Sequence, residues 1–328
     1  MPRHTLNRYL RLARPFTLVP PLLGIVSGAV CAFGSAHNPD PARRVTWAVV
    51  LTVAIGSLCA SAMNAASNIV NQIADLEIDR RNKPQRPLVT GEISLRRAWQ
   101  AAIALYAVAI LPTWIVVPYP YSRLADRLTA PVSLHAAFFI YVIGALATLV
   151  YSFPAFGRTK RHWLAANLTI AIPRGGLLKV AGWAFVASVA AGEAWAIGGI
   201  FTLFLLGAMS TKDFSDMEGD RAHGCITLPI RFGVRRAAWM IAPFFVLPWL
   251  LIPLFAWMRA PGGGTLLSGN RTLLTALGIG LAIWGAWAAR VLVRDPDELA
   301  RTENHPAWTH MYLLMMAAQI GFALAYLF

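Results

Sequence analysis

The sequence predicts an all-α membrane protein, a polytopic bundle of about nine transmembrane helices. Three observations carry that prediction. Hydrophobic residues make up 57% of the 328, only 13% are charged and the mean hydropathy is +0.55, whereas a soluble domain is about a quarter charged. Apolar stretches of about 20 residues, the length needed to cross a bilayer, recur along the whole chain. Lys and Arg are distributed unevenly between the segments that join them.

The stretches fall at 16–34, 45–70, 98–117, 132–153, 163–186, 194–210, 237–257, 273–293 and 307–328. The leader MPRHTLNRYLRLARP is basic, and Pro20 and Pro21 interrupt the apolar run behind it. It reads as a retained cytoplasmic segment, an interfacial helix and not a cleaved signal. The fifth span is broken by Pro173-Arg174-Gly175-Gly176, and Gly192 and Glu193 barely separate it from the sixth. Trp47, Tyr151, Trp163 and Trp308 near span ends form an interfacial belt. Gly262–Gly264 with Ser268 reads as a flexible outer loop, and 294–303 as a solvated connector. Cys31, Cys59 and Cys225 have neither metal spacing nor a disulfide pattern, and the seven His residues show no ligand spacing.

With the N-terminus placed inside, the cytoplasmic segments carry 21 Lys and Arg and the outer loops 6. This is the positive-inside bias. It accounts for the net charge of +14 without nucleic acid. It also places two acidic windows on one side, at the cytoplasmic ends of spans. The first is NQIADLEIDRRNKPQRPLVTG, residues 71–91; the second is KDFSDMEGD, residues 212–220. They hold seven of the fifteen acids: Asp75, Glu77, Asp79, Asp213, Asp216, Glu218 and Asp220.

If the second span continues as a helix through the first window, Asp75 and Asp79 share a face, with Asn71 one turn earlier. Asp213, Asp216 and Asp220 repeat the pattern. Such stacked oxygens suit Mg2+, which takes oxygen ligands and keeps positions for phosphate and water. The neighbouring bases suit the remaining charge of a diphosphate. A diphosphate clamped in this way is stabilised as it leaves. The natural substrate is then a long isoprenoid diphosphate whose tail lies in a central apolar cavity open at the cytoplasmic side, where aromatic faces stabilise an allylic cation. Tyr106, Tyr141, Tyr151 and Phe214 are candidates for that lining.

The two windows resemble the signature regions of the UbiA superfamily of intramembrane prenyltransferases: Asn71-Gln72-x-x-Asp75-x-x-x-Asp79 with its basic tail, and Asp213-x-x-Asp216-x-x-Gly219-Asp220. Arg14-Pro15, Tyr151-Ser152 and Lys160-Arg161 are similar to further family features. The resemblance spans nearly the whole chain. It implies a single domain, 1–328, and the 141-residue offset from Asp75 to Asp216 hints at two weakly related halves, about 1–157 and 158–328. It implies Mg2+ held by Asn71, Asp75, Asp79, Asp213, Asp216 and Asp220, with Asp75, Asp79, Asp216 and Asp220 catalytic. Lys83, Arg86, Lys160 and Lys212 would contact the diphosphate, and Tyr151 would contact the substrate. Gln72 stands where many members have Asp, one carboxylate fewer. Asp75-Leu-Glu77-Ile-Asp79 and Asn82-Lys83-Pro84 are similar to homogentisate prenyltransferases. Arg86-Pro87-Leu88 is closer to chlorophyll synthases and archaeal-type ether-lipid enzymes. The acceptor is therefore aromatic, with homogentisate ahead, or a membrane lipid.

Arg174 and Lys179 lie inside a span, where a charge costs roughly 3 kcal/mol on insertion scales. Arg174 has two readings: it faces the substrate pocket toward an acidic acceptor, or it pairs with a carbonyl of the broken helix. Lys179 faces the same pocket or snorkels outward. Asn167 faces the cavity or makes an interhelical hydrogen bond. Two other functions fit membrane aspartates. A CDP-alcohol phosphatidyltransferase needs an Asp-Gly-x-x-Ala-Arg opening that is absent. An ion-coupled transporter would place its acids near mid-membrane, not at span ends.

Overall fold

The computed structural model describes residues 3–118, 121, 123–260, 263–302 and 305–328, with residues 3–5 described by their backbone alone. Gly262 of the expected outer loop and Glu303 of the final connector lie outside the described residues. Among the described residues the chain is helical, with two isolated bridges and no strand.

Among the described residues, seven helices are long and apolar enough to cross a membrane: Pro15–Gly34, Trp47–Ala74, Leu95–Ile115, Gly192–Lys212, Val234–Trp257, Arg271–Arg294 and Pro306–Leu327. The remaining two expected spans are atypical. Ala136–Ser152 is a shorter apolar helix. The fifth span is a composite of an α-helix Trp163–Ala171, a π-helical turn Ile172–Leu177 and a second α-helix Leu178–Trp183. Pro173 lacks the N–H that the regular ladder needs, which is why the break falls there.

Large apolar side chains remain exposed on the outside of the bundle, among them Leu58, Ile103, Ile283 and Trp287. That outward apolar surface is what a bilayer solvates, and with the spans it makes this an integral multi-pass membrane protein. The interior is tightly packed around Phe201, Phe204, Phe245, Trp249 and Phe322. Glycines set the closest approaches. A Cβ on Gly28 would lie 2.6 Å from the Lys179 carbonyl, and one on Gly182 2.4 Å from the Ile25 carbonyl.

At the end opposite the acidic windows, a buried Glu193 ties the bundle together. Its carboxylate accepts hydrogen bonds from Ser35 Oγ at 2.5 Å, from the Ser268 backbone N–H at 2.5 Å, and from Tyr326 Oη. With Ser268 Oγ at 3.1 Å as a fourth, these donors compensate the buried carboxylate. The leader forms a helix, Arg3–Ala13, whose Leu12 packs with Ile69, Val70 and Ile73 beside the first window.

Candidate active site

The two acidic windows share one local construction. A long helix ends, an aspartate outside helical geometry follows, and a short helix begins. Trp47–Ala74 stops at Asp75, at φ −100 and ψ 16, before Leu76–Asn82. In the second window Asp216 has φ −99 and ψ 3 before Met217–Ala222. The expected continuous helix through Asp75 and Asp79 is therefore corrected to a bend at Asp75. The bend keeps one backbone bond, Asp79 N–H to the Asp75 carbonyl at 2.7 Å, so both carboxylates stay on the cavity side.

Asn82 clasps the windows. Its amide donates to the Asp216 carbonyl at 3.1 Å and accepts from the Gly219 N–H at 3.0 Å. Gly219 is required here, because a Cβ would lie 2.4 Å from the Asn82 side chain. Asp75 and Asp216, 141 positions apart in sequence, thus stand on two walls of one mouth.

Below that mouth lies a cavity of about 250 Å³. Its rim holds Asn71, Asp75, Asp79, Asp213, Asp216, Asp220, Arg86, Lys160 and Lys212. Deeper come Ser67, Thr148, Met63, Ile140 and Leu205. Of the expected aromatic lining, Tyr141 and Tyr151 reach it. Tyr141 spends its hydroxyl on the Gly56 carbonyl at 2.7 Å. Phe214 is packed in the core instead, and Tyr106 stands behind the wall with its Oη 3.4 Å from Ser67 Oγ.

Every base expected at the rim is held by an acid. Lys160 Nζ lies 2.6 Å from Asp75 and 3.3 Å from Asp220, bridging the windows. Arg158 approaches Asp75 at 3.5 Å, Arg86 pairs with Asp79, Lys83 lies 3.1 Å from Asp216 and Lys212 lies 3.8 Å from it. Among the described residues no three acids converge as a ready-made metal cluster. Clustered carboxylates in a recessed site need counter-charge, and the lysines and arginines supply it. The chemistry of the set still fits a hard cation: carboxylate and amide oxygens at one rim, with Asn71 Oδ1 buried and lacking a hydrogen-bond partner among the described residues.

The charges are tuned unequally. Burial raises Asp213 to about 8, and the charges of Asp220 and Asp216 add to the shift. Burial also raises Asp79 and Asp220, against the opposing charges of Arg86 and Lys160. For Asp216 the burial effect is outweighed by Lys212 and Lys83, and its carboxyl lies below the usual range. Burial of Lys160 is overcome by Asp75 and Asp220, which hold its ammonium well above the ordinary lysine value.

Gln72 is buried and is not in the lining of that cavity, bordering instead a neighbouring pocket with Lys83, Arg86 and Lys212; its Nε2 donates to the Leu12 carbonyl at 2.7 Å. Together with Asn68, whose Nδ2 reaches the Ala13 carbonyl at 2.9 Å, and Asn64, which reaches the Thr17 carbonyl at 2.8 Å, it forms an amide ladder. The ladder runs at i, i+4 and i+8 and anchors residues 12–17. There Arg14 adopts a left-handed φ of 59 and joins the cavity wall. Sequence reasoning missed this ladder, although three amides at helical spacing in an apolar span were its visible signal.

The other expected positions divide. Arg174 lines the cavity, as its pocket reading required. Lys179 neither lines it nor snorkels: it is buried, with Nζ 4.5 Å above the Phe201 ring and no hydrogen-bond partner among the described residues. A ring face in a closely packed core compensates part of its charge. Asn167 donates to Ser210 Oγ at 2.7 Å, the interhelical bond.

The UbiA prenyltransferase family model matches residues 21–315. A probable homogentisate phytyltransferase 2 from Oryza sativa subsp. japonica is 32% identical over 237 residues, 70% of this chain; the chain spans 56% of that relative's length. A digeranylgeranylglyceryl phosphate synthase from Methanobrevibacter smithii is 25% identical over 97% of this chain and 98% of its own length. Among solved structures, a UbiA homolog from Archaeoglobus fulgidus bound to GPP and Mg2+ has TM-score 0.66 and 22% identity, covering 97% of this chain and 99% of that one, a likeness of fold. The family match over most of the chain agrees with both acidic windows and with the fold around them: the protein belongs to the UbiA prenyltransferase family.

Proposed function

We propose that this chain transfers a prenyl group from a polyprenyl diphosphate to an aromatic, homogentisate-like acceptor within the membrane and releases diphosphate, with Mg2+ as cofactor. The observation that carries the proposal is the clasp of two acidic windows, interleaved with lysine and arginine, over the mouth of a membrane-embedded cavity. Two named proteins lend support: the Oryza sativa relative is named a probable homogentisate phytyltransferase 2, and the Archaeoglobus neighbour was solved bound to GPP and Mg2+.

In this reading Asn71, Asp75, Asp79, Asp213, Asp216 and Asp220 hold the cation, which when bound supplies positive charge to the diphosphate oxygens. Lys83, Arg86, Lys160 and Lys212 exchange their carboxylate partners for diphosphate oxygens and stabilise the leaving group. The prenyl chain lies in the apolar depth beside Met63, Ile140 and Leu205. The ring of Tyr151 faces the carbon that becomes cationic. Bond formation to an electron-rich acceptor carbon is completed by loss of a proton, or of CO2 where the acceptor bears it there. The chain acts as one domain over 1–328, its halves, about 1–157 and 158–328, each supplying one window. In this reading the windows and the N-terminus face the cytoplasm, an orientation supported by the 21 to 6 distribution of basic residues.

A second reading replaces the aromatic acceptor with a membrane lipid, and the Methanobrevibacter relative favours it. The test is product formation by purified protein given geranylgeranyl diphosphate, Mg2+ and a set of acceptors: homogentisate, 4-hydroxybenzoate, a naphthoate, a chlorophyllide and geranylgeranylglyceryl phosphate. Prenylated homogentisate supports the first reading, and product with the glyceryl phosphate alone moves it to the second. No diphosphate release with any acceptor or chain length overturns both.

A further inference from the structure

The rim bases are each held by a carboxylate, but Arg174 is not. It makes no hydrogen bond or ion pair among the described residues, although its side chain is half-buried and lines the cavity. It sits roughly 15 Å along its helix from Trp163 at the rim, below the diphosphate-type cluster of Lys83, Arg86, Lys160 and Lys212. Its neighbours in the wall are Leu177, Leu178 and Met315, with Ser67 and Thr148 also in the lining. A cation set among apolar groups is costly unless it faces a partner.

The backbone is arranged to hold it there. Arg174 lies in the π-helical turn Ile172–Leu177, a conformation that recurs at functional sites. The two residues after it anchor the turn from the other side. A Cβ on Gly175 would lie 2.7 Å from the Phe201 backbone, and one on Gly176 2.6 Å from Thr202 Oγ1. Pro-Arg-Gly-Gly is thus one device: the proline opens the ladder, the glycines press the turn against the Gly192–Lys212 helix, and the arginine is presented to the cavity. The charge of Arg174 reaches Arg14, a second wall cation that also makes no side-chain hydrogen bond or ion pair among the described residues.

We propose that Arg174 is the anion-recognition residue of the acceptor subsite, binding an oxyanion of the acceptor, foremost a carboxylate, and not the diphosphate. This inference rests on the prenyl-transfer reading above and names the chemistry of its second substrate. A guanidinium matches a carboxylate through two parallel hydrogen bonds. Arg174, with Arg14 as a second cation in the same wall, offers positive charge to an acceptor anion away from the carboxylates of the rim. A phosphate-bearing lipid presents related oxygens, so the experiment separates the two sources.

Steady-state kinetics would be measured for wild type, Arg174→Gln and Arg174→Lys with homogentisate, with its neutral counterpart methylhydroquinone, and with geranylgeranylglyceryl phosphate. Mg2+-dependent diphosphate release from geranylgeranyl diphosphate serves as an independent readout of the prenyl donor. In Arg174→Gln the KM for homogentisate should rise about 10- to 100-fold, the loss of one charge-assisted hydrogen-bonded pair. The KM for geranylgeranyl diphosphate and the kinetics with methylhydroquinone should hold, and Arg174→Lys should recover part of the loss. A KM rise confined to the glyceryl phosphate would keep the oxyanion subsite and assign it to a lipid. An unchanged acceptor KM, or a rise in the geranylgeranyl diphosphate KM instead, overturns the inference. Absence of diphosphate release from wild type itself would overturn the underlying reaction. Arg174→Lys, which keeps the charge, controls for a Gln variant that fails to fold.

Discussion

The two acidic windows are built alike and tuned differently. Each bends at an aspartate with nearly the same backbone angles, and each continues into a short helix that carries a further aspartate. The first is saturated with bases: Asp75 receives Lys160 and Arg158, and Asp79 receives Arg86. The second leaves Asp213 without an ion pair among the described residues and raises it to about 8, while Asp216 is held down by Lys212 and Lys83. Identical local folding therefore does not produce identical chemistry. What surrounds each carboxylate decides whether it stands charged or waits for a cation.

If the windows act as one site, losing either should be as harmful as losing both. Asp75→Asn and Asp216→Asn are each expected to abolish turnover, by more than about 100-fold, with the protein still folded and membrane-inserted. Steady-state diphosphate release checks this, and a fully active variant would break the pairing. Lys160→Met removes a base that pairs with an acid of each window. It should slow release by about 10- to 100-fold and lower the Tm of the Mg2+-free protein, because Asp75 and Asp220 then repel with less compensation. Added Mg2+ should restore much of that Tm, which a purely structural lysine would not allow.

Gln72→Asp tests the account of the missing carboxylate. It should leave the Mg2+ dependence unchanged and destabilise the protein by about 1–3 kcal/mol, since the new acid would face the Leu12 carbonyl without a donor. A gain in Mg2+ affinity would contradict the ladder. The smallest effect concerns pH. Asp213 must be ionised to bind a cation, and with its carboxyl raised to about 8 it is mostly protonated at neutral pH. Mg2+ affinity of the substrate-free protein should therefore rise as pH goes from 7 to 9, and Asp213→Asn should flatten the rise by a few-fold. Isothermal titration across that range decides it.

Most of this was legible in the residues. The long apolar runs announced the spans because a bilayer demands uninterrupted hydrophobicity, and acids are scarce enough elsewhere that the two windows stood out. Arg174 was legible as a cost: a charge in a span needs a reason, and the cavity is one. The rest depended on three dimensions. The bend at Asp75 hinges on one residue's backbone, which no periodicity encodes. Gln72 was read through its neighbours in the motif, whereas its role is set by a carbonyl 60 positions away. Lys179 went astray because a buried ammonium can rest on an aromatic face such as Phe201, a partner that sequence spacing does not reveal.

The most direct test of the central claim, that both windows close on one Mg2+–diphosphate, is a thermal-shift measurement. Wild type, Asp75→Asn and Asp216→Asn would be compared with Mg2+ and an uncleavable prenyl diphosphate analogue, alone and together. The account predicts a large rise in Tm for wild type only when both ligands are present, and loss of that rise in either variant. A wild-type rise retained in Asp75→Asn or in Asp216→Asn would show that one window binds alone, and would contradict it.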